Sequence, residues 1–155
     1  MVFARVPDQN MNLKAPSLLG FGLMIAGMVL LIRQNHLLAA SVPGRVVQIL
    51  AVGLMIAARI TFGSRSFHAA ANPTAGALVT TGPYALLRHP IYAAVLYFVW
   101  AAAIDHRSWP SGAAAALITA GASMRMYAEE QLLARKYPDY PAYRARTARV
   151  VPFVL

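Results

Sequence analysis

Two short polar motifs in this chain carry the residues most suited to chemistry. Arg88-His89 places a guanidinium beside a titratable imidazole, and Glu129-Glu130 places two carboxylates next to each other. Arg88 or His89 could pair with the carboxylate of a ligand, and a glutamate could pair with an ammonium or with ribose hydroxyls. Together the two motifs could therefore bind a small zwitterionic molecule.

The first motif lies directly before an apolar run that begins with Pro90. An ionisable group near the hydrocarbon layer is costly unless it is paired or hydrated, so its presence there indicates a functional site. We interpret His89 as a functional residue, the alternative being that it only caps the helix that Pro90 begins. Arg88 is equally compatible with a carboxylate clamp and with a positive anchor at the membrane surface.

The acidic and aromatic residues also have a structural alternative. Glu129 and Glu130 are two of only 5 acidic residues, which favours a ligand-binding role. Glu129 could instead form a surface pair with Arg125, four residues earlier in the same predicted helix. Tyr84 and Tyr92 flank the first motif and could line a ligand pocket, although tyrosine is also common at membrane interfaces.

The composition indicates a membrane protein. Of 155 residues, 59% are hydrophobic and 12% are charged, which is too apolar for an ordinary soluble domain. The net charge is +9, but the basic residues lie in short breaks between apolar segments, a pattern typical of lipid headgroup contacts and not of nucleic-acid binding. The absence of cysteine excludes thiol catalysis, disulfides and Cys-based zinc sites. His36, His68 and His106 are too scattered to predict a metal site.

The apolar segments predict an all-α bundle of about four membrane-spanning helices, followed by a C-terminal interfacial helix and tail. The predicted spans are 15–32, 46–58, 90–104 and 108–124, and the second extends to Phe62 if Arg59 snorkels to the interface. We expect a short loop around Pro43-Gly44 between the first two spans and a polar loop over 65–82. The fourth helix should continue until Pro138 stops it.

The basic residues divide unequally between the two predicted membrane faces. One face collects most of them, and the other holds only Arg33, Arg45 and Arg107. By the positive-inside rule both termini are cytoplasmic, and we expect the membrane to be a prokaryotic cytoplasmic membrane. The same assignment puts the 65–90 loop and the tail after 125 on one side, where the two polar motifs can meet.

Further residues around the two motifs form a recognisable pattern. In the first part these are Asn72-Pro73, Leu78-Val79-Thr80, Gly82-Pro83-Tyr84, Arg88-His89-Pro90 and Tyr92; in the second they are Glu129-Glu130, Leu133, Tyr137, Tyr140, Tyr143 and Val151-Pro152. This pattern resembles the isoprenylcysteine carboxyl methyltransferase and phospholipid methyltransferase group of membrane enzymes. The chain departs from the group at Ala85-Leu86, and at Ala94 and Pro138, where the group often has glycine.

The resemblance implies a membrane-bound methyltransferase with S-adenosylmethionine as the methyl donor. It implies one membrane domain, with an N-terminal helical hairpin over 1–64 and a donor-binding catalytic half over 65–155. Catalytic roles are expected for Arg88, His89 and Glu130, and donor binding is expected for Tyr84, His89, Pro90, Tyr92, Glu129 and Glu130. The acceptor would be lipophilic and would enter from the bilayer: an isoprenylcysteine-type carboxylate, a lipid amine or a small hydrophobic metabolite.

Two other functions are compatible with the same motifs. Membrane reductases of the steroid-reductase type are similar in their short motifs of tyrosine, arginine-histidine and glutamate, and these would use NADPH. A non-catalytic membrane subunit could also keep this scaffold, and it would tolerate the loss of His89 and Glu130. The chain has no Gly-rich fingerprint of a Rossmann-type site, so a donor pocket must be built from helix ends and the tail. The oligomeric state stays open.

Overall fold

The computed structural model describes residues 13–63 and 77–152, and within these ranges the chain is all-helical, as predicted. The α-helices are α1 (Lys14–Arg33), α2 (Val42–Phe62), α3 (Pro90–His106), α4 (Trp109–Lys136) and α5 (Tyr140–Arg146), and a short 3-10 helix, Gly82–Ala85, precedes α3. Most of the predicted 65–82 loop lies outside the described residues, and so do His68 and Asn72-Pro73.

Two helices, α1 and α2, are long and apolar enough to cross a membrane. They contain 20 and 21 residues, and they expose many large apolar side chains, among them Leu18, Ile25, Ile49 and Ile60. α3 is apolar but has only 17 residues. Exposed apolar side chains over whole helices are typical of contact with lipid, so this surface supports membrane insertion. Length and composition identify two of the four predicted spans.

The start of α2 differs from the prediction. Pro43-Gly44 was expected in a loop, but both residues belong to the first turn of the helix, which begins at Val42. Proline is well tolerated in a first helical turn because its missing N–H would have no helical partner there. Ser41 caps the helix, and its hydroxyl accepts a hydrogen bond from the Gly44 N–H at 3.2 Å. The capping serine therefore extends the helix four residues beyond the predicted start.

The principal packing partner of α1 is not its neighbour in the sequence. α1 packs along α4, α2 packs along α3, and α3 packs on α4. The contact between α1 and α4 is very close at Gly20 and Gly121, where a Cβ on Gly20 would lie 2.6 Å from the Gly121 carbonyl oxygen. The two helices of the expected N-terminal hairpin therefore lie mainly against other helices, and the core forms along α3 and α4.

The α4 helix is continuous from Trp109 to Lys136, so the predicted extension beyond 124 is confirmed. Its C-terminal half carries the two glutamates past the N-terminal end of α3. The helix ends before Pro138, and the chain then forms α5 and returns towards α3. This return brings the tail, the 3-10 turn and the end of α4 together.

Candidate active site

The carboxylate of Glu130 lies at the centre of a buried cluster of cations. Its Oε1 atom accepts from Arg88 Nε at 3.3 Å, His89 Nε2 at 3.3 Å and Arg149 Nε at 3.1 Å. Its Oε2 atom accepts from Arg149 Nη2 at 2.7 Å. The predicted meeting of the two polar motifs is therefore confirmed, and three cationic or titratable side chains share one carboxylate.

The backbone of the tail fixes this arrangement. Residues Leu87 and Ala148 form an isolated parallel bridge, in which the Arg88 N–H donates to the Ala148 carbonyl at 2.7 Å. The His89 N–H donates to the Arg149 carbonyl at 3.1 Å. The Arg88 guanidinium also donates to the carbonyls of Arg144 and Thr147. Because these bonds tie the tail to the start of α3, Arg149 is held over Glu130.

Glu129 belongs to a second polar layer beside the first. The hydroxyl of Tyr92 donates to Glu129 Oε1, and Arg125 Nε donates to that hydroxyl at 2.7 Å. Arg125 also lies 3.6 Å from Glu129 Oε1 and donates to the Ser17 carbonyl of α1. The predicted pair between Arg125 and Glu129 is therefore present, but Arg125 is buried and not solvated at the surface. The pair instead joins α1, α3 and α4.

His89 connects the two layers. It occupies the N-cap position of α3, but its side chain makes no capping hydrogen bond. Its Nε2 atom faces Glu130, and its Nδ1 atom lies 3.7 Å from Glu129 Oε2. A carboxylate only accepts hydrogen bonds, so Nε2 is the nitrogen that donates to Glu130. The helix-cap alternative is therefore excluded for the side chain of His89.

The cations around Glu130 determine its charge state. Burial alone would raise the pKa of this carboxyl, but hydrogen bonds from His89 and Arg149 and their charges outweigh burial and lower the pKa to about 2. The same bonds raise the pKa of Arg149. Glu130 is therefore ionised throughout the physiological pH range, which lets it balance the cations beside it.

The remaining predicted residues have supporting positions. Pro90 is buried in the first turn of α3, where it follows His89 as expected. Tyr84 is buried with its ring against Phe62 at a centroid distance of 5.5 Å, and its carbonyl accepts from the Tyr143 hydroxyl at 2.8 Å. The described contacts of Tyr84 thus connect α2 to α5. The structure brings Arg88, His89, Tyr92, Glu129 and Glu130 together. Burial, followed by the nearby Tyr143 and Glu129, raises the pKa of Tyr84, so Tyr84 lies close enough to Glu129 to experience its charge, although no hydrogen bond joins the two among the described contacts.

Gly82 lets the 3-10 turn approach α2. It has a φ of +56°, and a Cβ at this position would lie 2.7 Å from Thr61 Oγ1. Both the left-handed backbone and the close approach require glycine here. The 3-10 helix then positions Leu87 and Arg88 for the backbone bridge to the tail.

Comparison with known proteins shows the family of the chain. A family model described as phospholipid methyltransferase matches residues 44–140, which is more than half of the chain. The chain belongs to the phospholipid methyltransferase family. Membership in the phospholipid methyltransferase family indicates a methyltransferase, and the two long apolar helices agree with a membrane location. No solved structure matches the chain.

One curated protein is similar to part of this chain. The nickel-cobalt-cadmium resistance protein NccN of Alcaligenes xylosoxydans xylosoxydans is 37% identical over 78 residues. The match covers 48% of this chain and 36% of NccN, so the chain spans about a third of that relative's length.

Sequence reasoning missed three residues of the site in this family member. Arg125 was considered only as a surface partner of Glu129, although an arginine directly after the uncharged run 108–124 signals a group that needs a partner near the membrane. Nothing in the sequence distinguishes Arg149 from Arg144 and Arg146, which lie in the same tail. Only the backbone bridge between the tail and the start of α3 places Arg149 next to Glu130. Tyr140 was expected mainly to anchor the tail, but it is fully buried close enough to Glu130 and Arg88 for their charges to affect its pKa.

Proposed function

We propose that this chain is an S-adenosylmethionine-dependent methyltransferase that acts on a lipophilic acceptor at the cytoplasmic face of a membrane. The observation that supports this proposal most strongly is the buried carboxylate of Glu130 with Arg88, His89 and Arg149 around it. Charged groups are rarely buried in this number without a function, because each must be desolvated and paired. The family match supplies the reaction type.

The two glutamates have different roles in this proposal. Glu130 has a side chain only 4% exposed, and both oxygens accept hydrogen bonds from protein groups. Glu129 has a side chain 26% exposed, and its Oε2 atom is beyond hydrogen-bond distance of His89 Nδ1. Glu129 is therefore the carboxylate that contacts the donor. Glu130 is a positioning residue that holds Arg88, His89 and Arg149 in place.

The available side chains fit the chemical groups of S-adenosylmethionine. Glu129 could pair with its ammonium or hydrogen-bond its ribose hydroxyls, and Arg149, with a side chain 40% exposed, could pair with its carboxylate. When bound, the donor supplies a methyl group on a positively charged sulfur. The cluster of charged side chains fixes the orientation of the ligand, which is the main requirement of an in-line displacement.

The protein contributes orientation, exclusion of water and control of protons. Arg149 of the tail contacts both oxygens of Glu130, which is only 3% exposed, so the tail limits the access of water to this carboxylate. A carboxylate acceptor needs no base. An amine acceptor must lose a proton, and His89 Nδ1 is the nitrogen of this site that could take it. We place α3 and α4 in the membrane beside α1 and α2, with both chain termini in the cytoplasm.

Donor binding and methyl transfer test this proposal separately. Purified protein in lipid nanodiscs is titrated calorimetrically with S-adenosylmethionine, and NADPH is titrated in parallel. We expect heat with S-adenosylmethionine only. The nanodiscs are then incubated with a membrane lipid extract and donor tritiated on the methyl group, and radioactivity is counted in the organic phase. Organic-phase label above that of a Glu129→Gln variant supports the proposal; binding of NADPH alone supports the reductase alternative and contradicts it.

A matched control separates the site from the fold. Asp105→Asn changes an acidic residue at the opposite end of the bundle, so its donor binding and transfer should equal those of the natural protein. If His89→Ala and Glu130→Gln bind the donor as tightly as the natural protein, the non-catalytic alternative is favoured. The metal resistance in the name of NccN is not part of the proposal, since the described residues contain no group of three or more His, Asp or Glu that could hold a metal ion.

A further inference from the structure

An apolar cleft lies between α1, α2 and α3, apart from the charged cluster. Its volume is about 150 Å³. Only apolar side chains line it: Met28 of α1, Ala51, Val52 and Met55 of α2, and Ala94, Val95, Phe98 and Val99 of α3. The cleft exists because α1 packs mainly on α4 and α2 mainly on α3, which leaves a space where the first two helices face each other.

Buried residues form the floor of the cleft, and an exposed one forms its rim. Ala51, Ala94 and Val99 are buried, while Val52 is 46% exposed on the face of α2 that carries other exposed apolar residues. The cleft is therefore open on the side where we expect lipid. An apolar cavity of about 150 Å³ in another protein stays dry and binds benzene, so this volume accommodates one ring or a short branched chain.

The cleft is also close to the polar site along α3. Ala94 follows His89 by five residues, and a helix rises 1.5 Å per residue, so the floor begins about 7.5 Å along the axis from the charged cluster. Tyr92 lies between them in the sequence of the same helix, and Tyr92, Met28, Val95 and Phe98 all pack against the same hydrophobic core cluster. A molecule with one apolar and one polar end could therefore occupy the cleft and reach the polar site.

We propose that this cleft binds the apolar group of the methyl acceptor, a group about the size of a benzene ring or a five- to six-carbon branched chain. This inference rests on the proposed methyl transfer. The occupant enters from the lipid side past Val52, and its polar end lies towards Tyr92 and Glu129. Any longer part of the acceptor remains in the surrounding lipid.

The test uses a probe of matching size and a pair of variants on one helix. Protein in nanodiscs is photolabelled with increasing concentrations of 3-trifluoromethyl-3-phenyldiazirine, and the labelled residues are identified by mass spectrometry. Val52→Phe blocks the rim, whereas Val46→Phe places the same side chain on an exposed position, 48% exposed, outside the cleft. Because both positions are exposed, neither variant should disturb folding, and thermal unfolding checks this.

We expect labelling of Met28 and Met55 to saturate in the natural protein and in Val46→Phe, and to fall at least fivefold in Val52→Phe. Methylation of the lipid extract should fall at least tenfold in Val52→Phe, with S-adenosylmethionine affinity unchanged. Labelling that rises linearly with probe and is equal in both variants would overturn the inference, since it would mean ordinary lipid contact. Saturable labelling without any methylation in the natural protein would contradict the proposed function and not the cleft as a binding site.

Discussion

The two ends of the helical bundle hold their loops in very different ways. At the end that carries α3's C-terminus, the α1–α2 loop and the α3–α4 turn are joined mostly by neutral groups. His36 Nδ1 donates to Ser111 Oγ at 2.8 Å, the Ser111 hydroxyl donates to Gln34 at 3.1 Å, and the rings of His36 and His106 stack at 4.0 Å. We call this the neutral end, and the Glu130 cluster with Glu129, Tyr92 and Arg125 the charged end.

Asp105 holds the α1–α2 loop at the neutral end with two backbone hydrogen bonds. Its Oδ2 atom accepts from the backbone N–H groups of Ala40 and Ser41, the latter at 2.7 Å, and the residue is only half-buried. Hydrogen bonds from Ser41 lower the pKa of Asp105 without burying the charge. This end is closed by one half-buried carboxylate, by Arg45 Nε, which donates to the Ala39 carbonyl at 3.0 Å, and by several neutral groups.

The charged end buries what the neutral end leaves exposed. Arg88, His89, Arg125 and Glu130 are all buried there. Desolvating an ion costs several kcal/mol, and a buried ion pair is often no more stable than apolar side chains of the same size. Since the neutral end achieves loop closure without this cost, the charged end indicates a site kept for its chemistry.

The largest predicted effect is that of Glu130→Gln. The substitution removes the charge that compensates Arg88, His89 and Arg149 in a buried place, so we expect the free energy of unfolding to fall by about 3 kcal/mol. Donor affinity should fall below detection, because the three side chains lose their common anchor. Thermal unfolding and calorimetry measure the two effects; a variant as stable as the natural protein would mean that the charged end is not held by Glu130.

Acid should destabilise the charged end through the same residue. The pKa of Glu130 is about 2 in the folded protein, below its ordinary value of 4.5. Ionised Glu130 therefore contributes stability that is fully present above pH 4.5 and is lost as the pH falls towards 2. Its contribution to the slope of unfolding free energy is at most about 1.4 kcal/mol per pH unit. Glu130→Gln should remove that part of the slope, while Ser111→Ala should retain it.

Glu129→Gln should separate binding from stability. The side chain is partly exposed, and glutamine keeps an oxygen that can accept from the Tyr92 hydroxyl. We expect the dissociation constant for S-adenosylmethionine to rise at least tenfold, about 1.4 kcal/mol, with the unfolding temperature within a few degrees of the natural value. Equal loss of stability and affinity would contradict the different roles assigned to the two glutamates.

The smallest effect is expected at the neutral end. Ser111→Ala removes a buried hydroxyl that connects His36, Ser108 and Gln34, which should lower the free energy of unfolding by about 1 kcal/mol. Donor affinity should not change, because the substitution lies at the other end of α4. A clear loss of donor affinity would show that the two ends are coupled and would weaken the comparison.

The sequence predicted the helices and the convergence of the polar motifs, because apolar runs and charge asymmetry depend on local composition. It placed the start of α2 too late, since Pro43 reads as a loop residue until the Ser41 cap is considered. It also missed Arg149, whose selection over Arg144 and Arg146 depends on a backbone bridge between residues 61 positions apart, Leu87 and Ala148. Long-range backbone pairing of this kind leaves no local pattern in the sequence.

The two glutamates illustrate the same limit. As neighbours in the chain they looked equivalent, but on a helix adjacent residues point about 100° apart, so one faces the tail and the other faces α3. The fold decides which glutamate binds the cations, because it brings Arg88 from the start of α3 and Arg149 from the tail to Glu130. The sequence could therefore predict an acidic pair at the site but not the division of roles within it.

The most direct test of the charged end is calorimetric titration with S-adenosylmethionine in nanodiscs, comparing the natural protein with Glu129→Gln and Asp105→Asn. We predict measurable binding to the natural protein, equal affinity in Asp105→Asn, and at least tenfold weaker binding in Glu129→Gln. The absence of binding to the natural, folded protein, or equal binding to all three proteins, would contradict the assignment of the charged end as the methyl-donor site.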